Sequence, residues 1–145
     1  MRRYFFVLFS LLAIAVICLS GCTSNSGTAT QGNAVTSDRD IILQGIAAGE
    51  QSCINHLSAG VSTDKCRVTS TNKEIIVSQI LADADAHEQE CLAGISQSTD
   101  PGTCTVSSAT KQAAAERSAI CIDNVGNNNV AAVRNCVDTS FAAVT

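Results

Sequence analysis

Residues 42–73 read ILQGIAAGEQSCINHLSAGVSTDKCRVTSTNK, and residues 80–111 read ILADADAHEQECLAGISQSTDPGTCTVSSATK. Set one above the other without a gap, eleven of the 32 positions are identical. Ile42-Leu43 falls on Ile80-Leu81, Ala48 on Ala86, Glu50-Gln51 on Glu88-Gln89, and Cys53 on Cys91. Further on, Ser58 meets Ser96, Cys66 meets Cys104, Val68 meets Val106, Ser70 meets Ser108 and Lys73 meets Lys111. Paired cysteines with Gly or Pro breakers between them, repeated at one offset, imply an internal 38-residue duplication. The unit is one helix, a reversal and a short return. A third, degenerate unit holding Cys121 and Cys136 would cap the array.

The periodicity inside each unit is helical. Ile42, Ile46, Gly49, Cys53 and Leu57 recur at steps of four and three, one stripe of a helix. Ser37-Asp38-Arg39-Asp40 supplies a cap and acids for its start. The capping box Thr71-Asn72-Lys73-Glu74 opens a second helix that runs near Ile95, with Ile76, Ile80, Ala84, His87, Cys91 and Ile95 inward. An Ala-rich third helix is expected over 109–125. A fourth is expected over 130–143, with Val133, Val137, Phe141 and Val144 inward. Gly126 and the Asn127-Asn128-Asn129 run form the turn between these two. No stretch alternates well enough for a strand. The fold class is all-α: a small, disulfide-stapled domain of about four helices over residues 37–145.

Eight cysteines occur in the chain, six of them in the repeat region: Cys53, Cys66, Cys91, Cys104, Cys121 and Cys136. An even count in a small, exported, aromatic-poor domain reads as a disulfide framework. Six cysteines allow fifteen pairings, and spacing alone does not select one. Local pairing (53 with 66, 91 with 104, 121 with 136) is favoured because each pair centres on an expected reversal. Each bridge would close a loop of about 14–16 residues, worth roughly 3 kcal/mol in the chain-entropy model. Neither CxxC nor HExxH is present, so zinc and thioredoxin-like redox chemistry lack their signatures. No metal ligand set and no cofactor is assigned.

The export reading comes from the first segment. Arg2 and Arg3 precede an apolar core, Tyr4 to Leu19, interrupted only by Ser10. That core is shorter than the roughly 20 residues a membrane span needs, and it fits an export signal. Leu19-Ser20-Gly21-Cys22 resembles the lipobox of bacterial lipoproteins. The resemblance covers the first 22 residues. It implies lipidation of the Cys22 sulfur, cleavage of residues 1–21, and a membrane held through that lipid anchor. Thr23 follows Cys22 where an Asp usually retains a lipoprotein in the inner membrane, so the outer membrane, facing the periplasm, is favoured. Residues 23–36, TSNSGTATQGNAVT, carry no charge and little apolar bulk, which suits a flexible tether from the lipidated residue.

Composition excludes several functions. Removing residues 1–21 takes away Arg2 and Arg3, leaving 124 residues with seven Lys and Arg against thirteen Asp and Glu, a net charge of −6. That balance offers no footprint for nucleic acid. Phe141 is the only aromatic beyond residue 21, so sites that stack rings on aromatic platforms are not expected. His87 is expected in the core or at an interface. Asp83, Asp85, Glu88 and Glu90 are expected on a solvated face, and His56 near a helix end. No nucleophile elbow or phosphate loop is present, and an enzyme is not expected. The reading is a non-catalytic envelope lipoprotein, an adaptor or pilot-like module for another envelope protein. Secretin pilotins offer an architectural analogy. An inhibitor or exclusion factor against an incoming hydrolase, phage or plasmid is the alternative. If the staples carry the fold, reduction should lower the melting temperature by roughly tens of degrees. Matching melts of oxidised and reduced protein would show instead that the core suffices.

Overall fold

The structure, a computed structural model, describes residues 36–145. The signal segment, Cys22 and the tether through residue 35 lie outside the described residues. Within them are four helices and no strand: α1 (Asp38–Asn55), α2 (Ser70–Gly94), α3 (Ser108–Val125) and α4 (Val130–Ala142). Two single-turn 3₁₀ segments, Thr63–Cys66 and Pro101–Cys104, precede α2 and α3.

Each helix begins where a short polar side chain takes an orphan amide. Ser37 accepts from the Asp40 amide, Thr69 from Asn72, Ser107 from Thr110, and Asn129 from Ala132. The start of α2 differs from the expected capping box at Thr71. Thr69 is the cap, and Glu74 reaches across to pair with Arg39 instead of folding back. The 38-residue offset is visible in the backbone. The two 3₁₀ turns, their caps Ser62 and Asp100, and the helix caps Thr69 and Ser107 all stand 38 residues apart.

Contacts run chiefly between α1 and α3, α3 and α4, and α2 and α4. Gly45 and Gly49 of α1 meet residues 112–115 and 116–119 of α3 in ascending order, so these helices run parallel. The four-residue turn 126–129 folds α4 back antiparallel on α3. Gly126 takes φ 83° there, and no other residue of the turn has positive φ. Asn127 ties that turn to the start of α2. Its Oδ1 accepts from the Thr69 amide at 3.1 Å and from Asn72 Nδ2 at 2.9 Å, while its Nδ2 donates to the Arg67 carbonyl. Asn72 is itself buried, so this bonding satisfies polar atoms that would otherwise be costly.

The core is aliphatic. Ile42, Ile46, Ile76, Ile80, Ile122, Val133 and Val137 are essentially fully buried, joined by Ala114, Ala115, Ala119 and Phe141. Each buried Ile or Val contributes about 1.5–3 kcal/mol relative to exposure. The Ala face of α3 lets α1 come close. A Cβ built on Gly49 would stand 2.6 Å from the Glu116 carbonyl oxygen and 2.7 Å from Ala119 Cβ. One built on Gly45 would stand 2.9 Å from Ala115 Cβ and nearer still to the Gln112 carbonyl. Because the obstructing atoms are backbone, they cannot rotate away. Gly49→Ala is therefore expected to cost about 1–3 kcal/mol. Gly94→Ala, whose Cβ would meet nothing within 4 Å, should be neutral or stabilising by up to about 1 kcal/mol. Denaturant titration of the two variants side by side checks both signs.

Candidate functional site

The three disulfides join Cys53 to Cys66, Cys91 to Cys104 and Cys121 to Cys136, with Cα–Cα separations of 5.6, 5.5 and 5.7 Å. These are the locally spaced pairs, at ordinary disulfide distances. Only the third links two helices across a hairpin. The first two fasten the ends of α1 and α2 to the 3₁₀ turns that follow them.

A carboxylate sits beside each of these two corners. Glu50 Oε1 accepts from the Val68 amide at 2.8 Å, and Glu88 Oε1 accepts from the Val106 amide at 2.7 Å. Positions 38 residues apart thus make the same bond, tying a helix to the strip that returns along it. Glu88 is therefore half-buried and bonded, not part of the solvated face expected from its charged neighbours. The matched lysines diverge. Lys73 pairs with Glu50 at 2.9 Å, whereas buried Lys111 reaches Asp38 at the start of α1 at 2.6 Å.

The remaining titratable groups gather between α2 and α4. Asp83, His87 and Glu90 of α2 face Asp138 and Phe141 of α4 across an open cleft of about 330 Å³. Gln79 donates to the Asp138 carboxylate, pinning α4 to α2 one helical turn above. Partial burial holds the Asp83 carboxyl above the usual range, and the neighbouring Asp138 charge adds to it. His87 is exposed and lines this cleft, in contrast to the core position its stripe suggested. The stripe fails there because α2 is 25 residues long and its C-terminal third extends past the packed layer. His56, also exposed, closes the end of α1 with Nδ1 2.7 Å from the Ser52 carbonyl. Asp85 accepts from Gln89 one turn away. The structure thus gathers Asp83, His87 and Glu90, leaves Asp85 aside, and puts Glu88 to structural use.

Asp138 and Asp123 escaped the sequence reading. Asp138 could have been found by laying α4 beside α2, since it follows the inward Val137. Asp123 offers a carboxylate oxygen within 4.8 Å of both sulfurs of Cys53–Cys66, and no local spacing signals that contact. With the sulfurs bonded to each other, the trio is not a thiolate metal site. An open cleft holding three carboxylates and one imidazole can attract cations or basic side chains. No known protein family, curated protein or solved structure matches the chain.

The raised Asp83 carboxyl has a defined pH signature. The folded state binds its proton more readily than the unfolded chain, so its ionisation costs stability as pH rises through the window above the ordinary Asp value. Asp83→Asn should therefore raise the melting temperature slightly at pH 7. That gain should vanish near pH 3, where the wild-type carboxyl is protonated in both states. Paired melts at the two pH values test this, and a gain that persists at pH 3 would trace to packing instead.

Proposed function

We propose that this chain is a lipid-anchored module of the bacterial cell envelope that presents a preorganised helical surface to another envelope protein. The observation that carries the reading is the stapling itself. Each of the three disulfides closes a reversal, so the surfaces of four helices are held in one arrangement without an extensive core. Preorganisation lowers the ordering cost of association. Disulfides of this kind also belong to oxidising compartments, in keeping with the export segment.

Among the described residues no helix is long and apolar enough to cross a membrane. The reading assigns attachment to the lipid on Cys22 instead. Two or three acyl chains hold a protein far more firmly than one, at about 0.8 kcal/mol per buried methylene. Residues 23–36 then act as a leash, giving a reach of roughly 20 Å for fourteen flexible residues. The surface charge of −6 favours a partner with a basic contact region and keeps the domain off anionic lipid headgroups.

The test is cross-linking and affinity capture from native envelopes through a C-terminal tag, with Cys22→Ala alongside. One dominant envelope partner, mislocalised or lost in the Cys22→Ala strain, is the expected result. Capture of no envelope protein would overturn the adaptor reading. A soluble Cys22-less form that inhibits a foreign hydrolase would replace it with the inhibitor alternative.

A further inference from the structure

We propose that Cys91–Cys104 is a thiol-exchange site, the bridge that a small-molecule or protein-borne thiol opens while the other two keep the fold standing. The inference rests on a comparison the chain makes within itself. Cys53–Cys66 and Cys91–Cys104 have the same sequence separation and the same attachment to a 3₁₀ turn. Their surroundings differ.

Both sulfur-bearing residues of Cys91–Cys104 line one open pocket of about 210 Å³. The rest of its wall is largely hydroxyls (Thr103, Thr105, Ser107 and Thr110) together with His87, and no Asp or Glu side chain lines it. At Cys53–Cys66 the depression is smaller, about 120 Å³, and of the pair only Cys66 lines it. Glu50 stands in that wall, and Asp123 lies within 4.8 Å of both sulfurs. Arg67 at the same rim offsets part of this negative field. The position matching His87 is Gly49, which is packed against α3 and contributes no side chain. Cys121–Cys136 is sheltered differently, because Cys136 is 1% exposed and belongs to the core.

Exchange requires a thiolate to approach a disulfide sulfur, and its rate depends on access and on charge near the path. Cys91 is half-buried and Cys104 is 4% exposed, so attack falls on the Cys91 sulfur. The incoming sulfur bonds to Cys91, the bridge breaks, and Cys104 leaves as a thiolate. It leaves beside the first turn of α3, where Ser107 and Thr110 line the pocket and the helix N-terminus favours negative charge. A second thiol then displaces Cys91, releasing the external disulfide. Two thiols are oxidised, one bridge becomes two cysteine thiols, and the protons given up by the incoming thiols end on Cys91 and Cys104. Asp83, Glu90 and Asp138 face the adjoining cleft and are not among the side chains lining this pocket.

The experiment is timed reduction of the oxidised full chain by dithiothreitol in native buffer, quenched by alkylation and read by peptide mass mapping. Cys91 and Cys104 are expected to be alkylated together, ~10-fold or more sooner than the other four cysteines. Asp123→Asn is expected to speed opening of Cys53–Cys66 several-fold and leave Cys91–Cys104 unchanged. The proposal is overturned if another bridge opens first, or if all three open at one shared rate set by global unfolding. An Asp123→Asn variant whose Cys53–Cys66 bridge opens no faster would remove the electrostatic half of the argument.

Discussion

The arrangement depends on how near α1 can come to α3. Gly45 and Gly49, one helical turn apart, face Ala115 and Ala119, also one turn apart, and bring the backbone of one helix onto the carbonyls of the other. Two small-residue faces of this kind bury little area per residue, but they place the flanking Ile42, Ile46 and Ile122 in a common layer. They also set the height at which α1 ends. That height decides where Cys53 and Glu50 stand, and hence where the first 3₁₀ turn is pinned. The hairpin α3–α4 and the Asn127 clamp then bring the start of α2 back to the same end.

Close approach of small residues answers a shortage of bulk. Phe141 is the only aromatic in the core, and the rest is Ile, Val and Ala. Dispersion between short side chains falls off within a fraction of an ångström, so such a core needs its helices held at one spacing. The disulfides supply that constraint from outside the core. With each bridge worth roughly 3 kcal/mol by chain entropy, the three together are comparable to the 5–15 kcal/mol stability of a typical domain.

Much of this was legible in the residues. The stripes at Ile42/Ile46, Ile76/Ile80 and Val133/Val137 mark buried faces, and the even cysteine spacing marks the reversals, because both are local patterns. The carboxylate bonds of Glu50 and Glu88 were hidden in plain view. Both residues are identical at the repeat offset, yet a glutamate in a charged run reads as solvent-facing until its partner amide, eighteen residues on, is known. Gly45 was passed over because a glycine adds nothing to a hydrophobic stripe. Its meaning lies in the spacing to Gly49 and in the matching alanines of a helix 70 residues away. His87 failed for the opposite reason. Its stripe position is sound, but α2 outruns the layer it packs on.

The two repeats therefore agree where backbone must be satisfied and disagree where side chains meet solvent or other helices. Ser62 and Asp100 cap equivalent turns, and Glu50 and Glu88 hold equivalent amides. Gly49 and His87, by contrast, occupy equivalent positions with no shared task, because the first lies under α3 and the second lies under nothing. Lys73 and Lys111 are identical residues with different partners for the same reason. A duplicated unit placed beside different neighbours keeps the bonds it makes to itself. The positions it turns outward are free to change, and there the second unit carries its histidine, its acidic neighbours and its open disulfide.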